Sequence, residues 1–291
     1  MLALRDEPVA LRCPVCGCGG PRPYAQISNF TVYTCRACSL YFSDALHRID
    51  VTSLYGDEYF VGANVPTGYS DYHLLARALE RNAHRRLGRL EPLVRGERTV
   101  LDVGCGTGEF LHVAQQRGWQ TTGVEISSYA AQYGRRHYRV DIRTGSLSDD
   151  LFAERSFAAI TLWDVIEHLP GPPATLALCA RLLKPGGVLA ISTGDIESLC
   201  ARLCGRHWHL FNLPEHVFFF SRRTIHDVLR RAGFEVVSIG YPRSYYPVGY
   251  LLERLYKSLR RDGELTPRFR LRWLVPCNLF DVMEVIARPR A

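Results

Sequence analysis

The sequence predicts an α/β fold, a doubly wound parallel sheet with a small cysteine-rich module ahead of it. Between residues 97 and 240, short apolar runs alternate with segments of helical periodicity, the pattern of βαβ units. A glycine-rich turn, Gly104-Cys105-Gly106-Thr107-Gly108, links the first of those runs to the helix after it. Two C-x-x-C pairs, Cys13/Cys16 and Cys35/Cys38, stand eighteen residues apart near the start of the chain.

Residues 1–46 are rich in Cys, Pro and Gly and are read as the separate module. Residues 47–95 are read as a helical lid or linker. A polar, Tyr-rich stretch (Tyr55 to Phe60, Gly68 to Tyr72) precedes a helix over 73–93, where Leu75, Leu79, Leu87 and Leu90 recur at helical spacing. The sheet domain is expected over 96–240. Its strands are 99–103, 120–125, 140–144, 157–164, 188–193 and 234–239. Its helices are 109–117, 128–137, 174–183 and 222–232, with Gly118 and Gly233 as stops. Residues 241–291 form a C-terminal helical segment, with a helix over 247–259, and an apolar stretch over 281–287 expected to close the sheet as an edge strand.

The 291 residues are 47% hydrophobic and 22% charged, ordinary for a globular protein. No apolar run approaches the length of a bilayer span. Met1 to Ala10 has no apolar signal region, so the expected compartment is the cytoplasm, where disulfides are rare. Cys18, Cys105, Cys179, Cys200, Cys204 and Cys277 then read as small core residues. The net charge is +7, and Lys184 and Lys257 are the only lysines. Coding bias explains such arginine enrichment; an anionic partner, whether phosphate, nucleic acid or membrane, is the sharper alternative.

Glycines after the first strand let the backbone turn tightly and approach a ligand, and the following helix N-terminus favours a carboxylate there. Glu125 ends the second strand, placed to accept hydrogen bonds from two ribose hydroxyls. With Asp102 two residues before Gly104, the run Asp102-Val103-Gly104-Cys105-Gly106-Thr107-Gly108 resembles the class I S-adenosylmethionine-dependent methyltransferases. Gly123 to Ser127, Trp163 to Leu169 and Leu183 to Gly187 extend the resemblance over roughly 97–240. It implies S-adenosyl-L-methionine as cofactor. Gly104, Gly106 and Gly108, with Asp102 and Cys105 in the same loop, would flank its methionine part. Glu125 would bind the ribose and Ile126 would pack on adenine. Ser146 and Leu147 would border the adenine edge, and Asp164 would lie beside the departing methyl.

Cys13, Cys16, Cys35 and Cys38 have the spacing of a zinc ribbon, in which four thiolates hold Zn²⁺ tetrahedrally. With every position filled by protein, the zinc would be structural. Cys18 is a spare thiol beside the first knuckle, and a redox dithiol pair is the alternative.

Methyl transfer to a hydroxyl or activated carbon benefits from a base. His216 is the favoured candidate, because its segment follows the fifth strand on the ligand side of the sheet. His168 is second, and His207 and His209 flank Trp208 as pocket residues. The pattern resembles bacterial methyltransferases with an N-terminal zinc ribbon that act on sugar, polysaccharide or secondary-metabolite precursors, which implies a small glycosyl-type or secondary-metabolite acceptor. An RNA methyltransferase using the ribbon for recognition is the competing reading. The tail places Leu251, Leu252 and Leu255 on one helical face near Arg254, Lys257, Arg260 and Arg261, with Arg268, Arg270 and Arg272 following. That face either packs on the sheet or meets a membrane or lipid-linked substrate.

Overall fold

Successive residues of a strand point to opposite faces of its sheet, so a sheet covered on both sides needs apolar residues at nearly every position. The computed structural model describes residues 11–55, 72–259, 269 and 271–290. The chain begins with β1 (Arg22–Ile27), β2 (Phe30–Thr34), β3 (Tyr41–Ser43) and the short helix α1 (Ala45–Arg48). The long helix α2 (Tyr72–Leu90) leads into β4 (Thr99–Val103), α3 (Glu109–Gln116), β5 (Gln120–Glu125), α4 (Ser128–His137) and β6 (Asp141–Thr144). After these come β7 (Phe157–Trp163), α5 (Pro172–Leu182), β8 (Leu183–Gly194) and α6 (Leu199–Cys204). The chain ends with β9 (Phe218–Phe219), α7 (Arg222–Arg231), β10 (Phe234–Gly240), β11 (Ser244–Pro247), α8 (Val248–Leu259), β12 (Leu274–Cys277) and β13 (Val282–Pro289).

The main sheet runs β10-β13-β8-β7-β4-β5-β6. Strands β8 to β6 are parallel, and β13 is antiparallel to both of its neighbours. Along β8, Val188 and Ala190 pack on one face with Leu87 and Leu90 of α2 and Val113 of α3. Leu189 and Ile191 pack on the other with Leu176 of α5 and Val228 of α7. This is the α/β, doubly wound, Rossmann-like architecture expected. Strands β5 and β7 flank β4 on opposite sides, so a crevice opens at the carboxyl ends of β4 and β7.

The final strand corrects an expectation. β13 is not an edge strand; it lies between β8 and β10, and β10 forms the edge. Met283, Val285, Ile286 and Ala287 are all buried, the signature of a strand covered on both faces. β8 also starts earlier than expected. The Lys184-Pro185-Gly186-Gly187 run is taken up within the strand, where the pairing jumps from Phe157↔Leu183 to Ala159↔Val188. The Tyr-rich residues 56–71, and Arg260, Arg261, Arg268 and Arg270 of the tail, lie outside the described residues. In the tail, β11 and β12 pair antiparallel, and Asn82 of α2 exchanges two hydrogen bonds with the Tyr245 backbone. No helix among the described residues is long and apolar enough to cross a membrane.

The cysteine module is built into the molecule. β1, β2 and β3 form one antiparallel sheet with β9, in which Phe42 faces Phe218. Cys13, Cys35, Leu40 and Phe42 share a continuous core with Val217, Phe218 and Phe220.

Buried charge fixes α2 on the sheet. Glu284 of β13 is 4% exposed and pairs with Arg85, with Arg86 at 3.5 Å and with Arg89 at 3.5 Å. These guanidiniums hold its carboxyl below the usual range despite the opposing effect of burial. Removing one member of such a cluster leaves buried charge uncompensated. Glu284→Ala should therefore lower unfolding stability by about 3 kcal/mol in denaturant titrations, with Glu284→Gln losing less.

Candidate active site

After β4 the chain turns through Gly104, Gly106 and Gly108 at φ 69°, 56° and 87°, left-handed conformations that favour glycine. Gly104 also lacks room for a side chain, since a Cβ there would stand 2.6 Å from Val165 Cγ2. The Gly104 and Cys105 N–H groups donate to the Val124 carbonyl at 2.7 and 3.2 Å, tying the turn to β5. The Cys105 side chain is buried with Leu111 and Ala131, and burial pushes its thiol well above the usual range. Only its backbone belongs to the turn.

Three carboxylates meet the crevice. Asp102 is 2% exposed and accepts a 2.6 Å hydrogen bond from Thr161 Oγ1. Burial raises its pKa to about 7, against the lowering effects of Thr161 and Arg86. Glu125 accepts the Gly106 N–H on Oε2 and the Ser127 N–H on Oε1, both at 2.8 Å. Its burial raises the pKa, and those N–H groups partly offset the rise. Each oxygen keeps a further lone pair for a hydroxyl. Asp164, just past β7, has φ 58°, unusual for a residue with a side chain and common at ligand sites. Its carboxylate is half exposed, accepts the Ser192 hydroxyl at 2.8 Å and meets Arg86 at 3.3 Å.

Ile126 is half-buried beside Glu125, Ser146 is exposed, and half-buried Leu147 packs on the main core. At the head of α3, the buried carboxylate of Glu109 accepts the Thr107 hydroxyl at 2.6 Å. A carboxylate of this chain thus occupies the helix N-terminus expected to favour one. The turn and the three acids suit a ligand bearing positive charge and a pair of hydroxyls, which is the chemistry of S-adenosylmethionine.

His168 and His216 come together with ring centroids 4.6 Å apart, edge to face. His168 Nδ1 lies 2.9 Å from the Glu215 carbonyl and 2.7 Å from the Tyr55 hydroxyl. Burial lowers its pKa to about 4, although the Glu215 and Asp164 carbonyls favour a proton on the ring. His216 Nδ1 donates to the Leu210 carbonyl at 2.8 Å, which leaves Nε2 as the basic nitrogen of the neutral ring. His216 lines a small cavity with Glu167, Trp208, Leu210 and Phe218. His207 is exposed and His209 half-buried on the same insert.

Sequence reasoning passed over Glu167 and Arg86. Glu167 is 5% exposed, and its Oε2 finds no hydrogen-bond partner among the described residues. Its carboxylate lies within 4.8 Å of ring nitrogens of both histidines. It sits inside the Trp163 to Leu169 motif, so the signal was its neighbourhood. Arg86 stacks on Trp163 at 4.3 Å and reaches Asp164 from α2, seventy-eight residues away in sequence. No local pattern announces that contact.

In the cysteine module, Cys13 and Cys38 have sulfurs 3.6 Å apart, and Cys16 and Cys35 3.5 Å. Four thiolates around one zinc, with bonds of about 2.3 Å, stand roughly 3.8 Å apart. The two knuckles match. Cys13 and Cys35 each donate a backbone N–H to the carbonyl five residues on and accept one from four residues on. Gly17 and Ser39 complete them at φ 72° and 62°. The thiols are crowded: burial pushes Cys13 up to about 11, while at Cys35 burial is opposed by the N–H groups of Cys38 and Ala37 together with the Cys16 and Cys38 thiols, which bring it down to about 7.

A parallel sheet with a glycine turn after β4, an acid at the end of β5 and a crevice at the strand reversal defines a doubly wound, cofactor-binding α/β protein. The chain belongs to the methyltransferase-domain family, whose model matches residues 72–239. A curated relative, the ubiquinone biosynthesis O-methyltransferase of Xanthomonas oryzae pv. oryzae (strain PXO99A), is 42% identical over 101 residues, 32% of this chain and 42% of that protein. The protein of that name from Azoarcus sp. (strain BH72) is 29% identical over 161 residues, 51% of this chain and 69% of that protein. The chain thus spans 42% of the length of the first of these relatives. Among solved structures, the YcgJ protein of Bacillus subtilis superposes with a TM-score of 0.52 at 15% identity, covering 72% of this chain and 99% of that one. The [4+2]-cyclase SpnF gives 0.51 at 20% identity, covering 74% and 82%. At such identities the likeness is one of fold.

Burial raises the Glu167 pKa from 4.5 to about 8, so at neutral pH the folded protein holds a proton that the unfolded chain releases. Its contribution to stability is complete below pH 4.5 and is lost as the pH climbs to about 8. Thermal unfolding of Glu167→Gln and the parent across that window should show the variant gaining relative to the parent as pH rises. A constant difference would place the carboxyl in water.

Proposed function

We propose that this protein transfers a methyl group from S-adenosyl-L-methionine to a hydroxyl oxygen of a small, largely apolar acceptor. The observation that carries this reading is His216, with Nδ1 tied to the Leu210 carbonyl and the ring against a cavity walled by Trp208 and Phe218. That tautomer suits Nε2 to take the proton a hydroxyl loses as it attacks. The bound cofactor supplies an electrophilic methyl on a sulfonium. Gly104, Gly106 and Gly108 give its methionine part close approach, Glu125 accepts from its ribose, Ile126 and Leu147 flank its adenine near Ser146, and Asp102 and Asp164 face its positive charge. His168, held between the Glu215 and Asp164 carbonyls, keeps the two loops in register. The relatives' printed function, O-methylation in ubiquinone biosynthesis, favours a hydroxyl on an apolar or aromatic acceptor over the glycosyl type expected from sequence.

S-adenosylhomocysteine should bind in calorimetry, and His216→Ala should lower turnover by roughly 10²–10⁴ with cofactor affinity nearly unchanged. Near-normal turnover removes His216 from the chemistry. A large loss of cofactor binding makes its segment part of the cofactor pocket.

We further propose that Cys13, Cys16, Cys35 and Cys38 hold one structural zinc. Because β3 pairs with β9, losing that zinc should disturb more than the module itself. In Cys35→Ser, hydrogen exchange should rise both in residues 11–46 and in 215–220, while β4 and β5 stay protected. An increase confined to the module would mean that the pairing does not transmit the loss.

A further inference from the structure

We propose a second metal site, formed by Cys200, His209 and Asp281 and suited to zinc. The Cys200 sulfur, a His209 ring nitrogen and an Asp281 carboxylate oxygen lie within 4.8 Å of one another. Together these three offer a sulfur, a nitrogen and an oxygen, donor types that zinc takes, and Cys204 follows Cys200 by one turn of α6.

The spacing between His209 and Asp281 leaves room for a shared ion. His209 Nδ1 stands 3.6 Å from Asp281 Oδ2, beyond hydrogen-bonding distance. Nitrogen and oxygen ligands on one tetrahedral zinc, with bonds of about 2.0–2.1 Å, stand roughly 3.4 Å apart. Trp208 Nε1 donates to Asp281 Oδ2 at 3.1 Å, the kind of outer hydrogen bond that orients a ligating carboxylate. Asp281 is 3% exposed, and its carbonyl accepts the Asp195 N–H at 2.7 Å, so the carboxylate is fixed before any ion arrives.

The ligands come from the insert between β8 and β9 and from the residue preceding β13. Binding releases the Cys200 thiol proton to solvent and ties α6 and the His209 loop to the sheet. That loop also carries Trp208 and Leu210, whose carbonyl orients His216. The ion would therefore hold the wall beside the His216 ring in place.

The test is zinc stoichiometry on the purified full chain. Metal-stripped protein is titrated with Zn²⁺ against a chromophoric chelator, then with Co²⁺, whose sulfur charge-transfer band reports thiolate ligation. Two equivalents are expected in the parent, and one in each of Cys200→Ser and His209→Ala, with near-ultraviolet dichroism confirming that the variants fold. Saturation of the parent at one equivalent overturns the site without needing any variant. So do two equivalents that survive in both variants. The ribbon is separable: Cys13→Ser removes its zinc, so the second site predicts one equivalent remaining in Cys13→Ser, whereas none in Cys13→Ser beside one in His209→Ala leaves the ribbon standing and sinks the second site.

Discussion

The peptide of Val217 is held from both sides, and much of the candidate site depends on it. Its carbonyl accepts the Ser43 N–H at 2.9 Å from the cysteine module, and its N–H donates to the Glu167 carbonyl at 2.9 Å in the loop after β7. His216 precedes it and β9 follows it. Three distant stretches of chain thus meet at one backbone unit, and backbone hydrogen bonds in a buried setting are costly to leave unmade. The register of β3 against β9 then decides where the His216 ring lies relative to His168 and Glu167. A cysteine module that looks like an appendage in the sequence is paired to the strand that follows His216.

Burial of charge is the second organising feature. Asp102, Glu125, Glu167 and Glu284 are each nearly or wholly withdrawn from water, and each is handled differently. Arginines from α2 keep Glu284 ionised, and backbone N–H groups help Glu125 stay so. Asp102 has one hydroxyl and sits near neutrality, while Glu167 is pushed to hold its proton. Glu284 is the member of this set that arginines of the chain neutralise. Of the acids left with raised pKa values, Asp102 lies on β4 and Glu125 ends β5, while Glu167 lies beside the two histidines. Arg86 joins the two groups, since it touches both Glu284 and Asp164.

Much of the sheet domain was legible because its signals are local. Apolar alternation, helix stops at Gly118 and Gly233 and the glycine turn after β4 depend on neighbours a few residues apart, and α4 begins and ends where the sequence placed it. The cysteine spacing was legible for the same reason: each knuckle closes within six residues, and its positive-φ position falls on Gly17 or Ser39.

Whatever depends on which distant segments meet was decided by the tertiary structure. The apolar run over 281–287 determined a strand and left its place in the sheet open. Only the packing of β8 and β10 on either side made it interior, because both faces and both edges of that run could be buried there. The motif around Asp164 marked an acid at a strand end, and its ion pair with Arg86 came from a helix seventy-eight residues earlier. The sequence by itself singled out the candidate residues: three glycines, Asp102, Glu125, Asp164 and two histidines for the site, and four cysteines for the module. Which of them share a space with Glu167, Trp208 and Asp281 followed from long-range packing, because contact between segments far apart in the chain leaves no periodic trace in a single sequence.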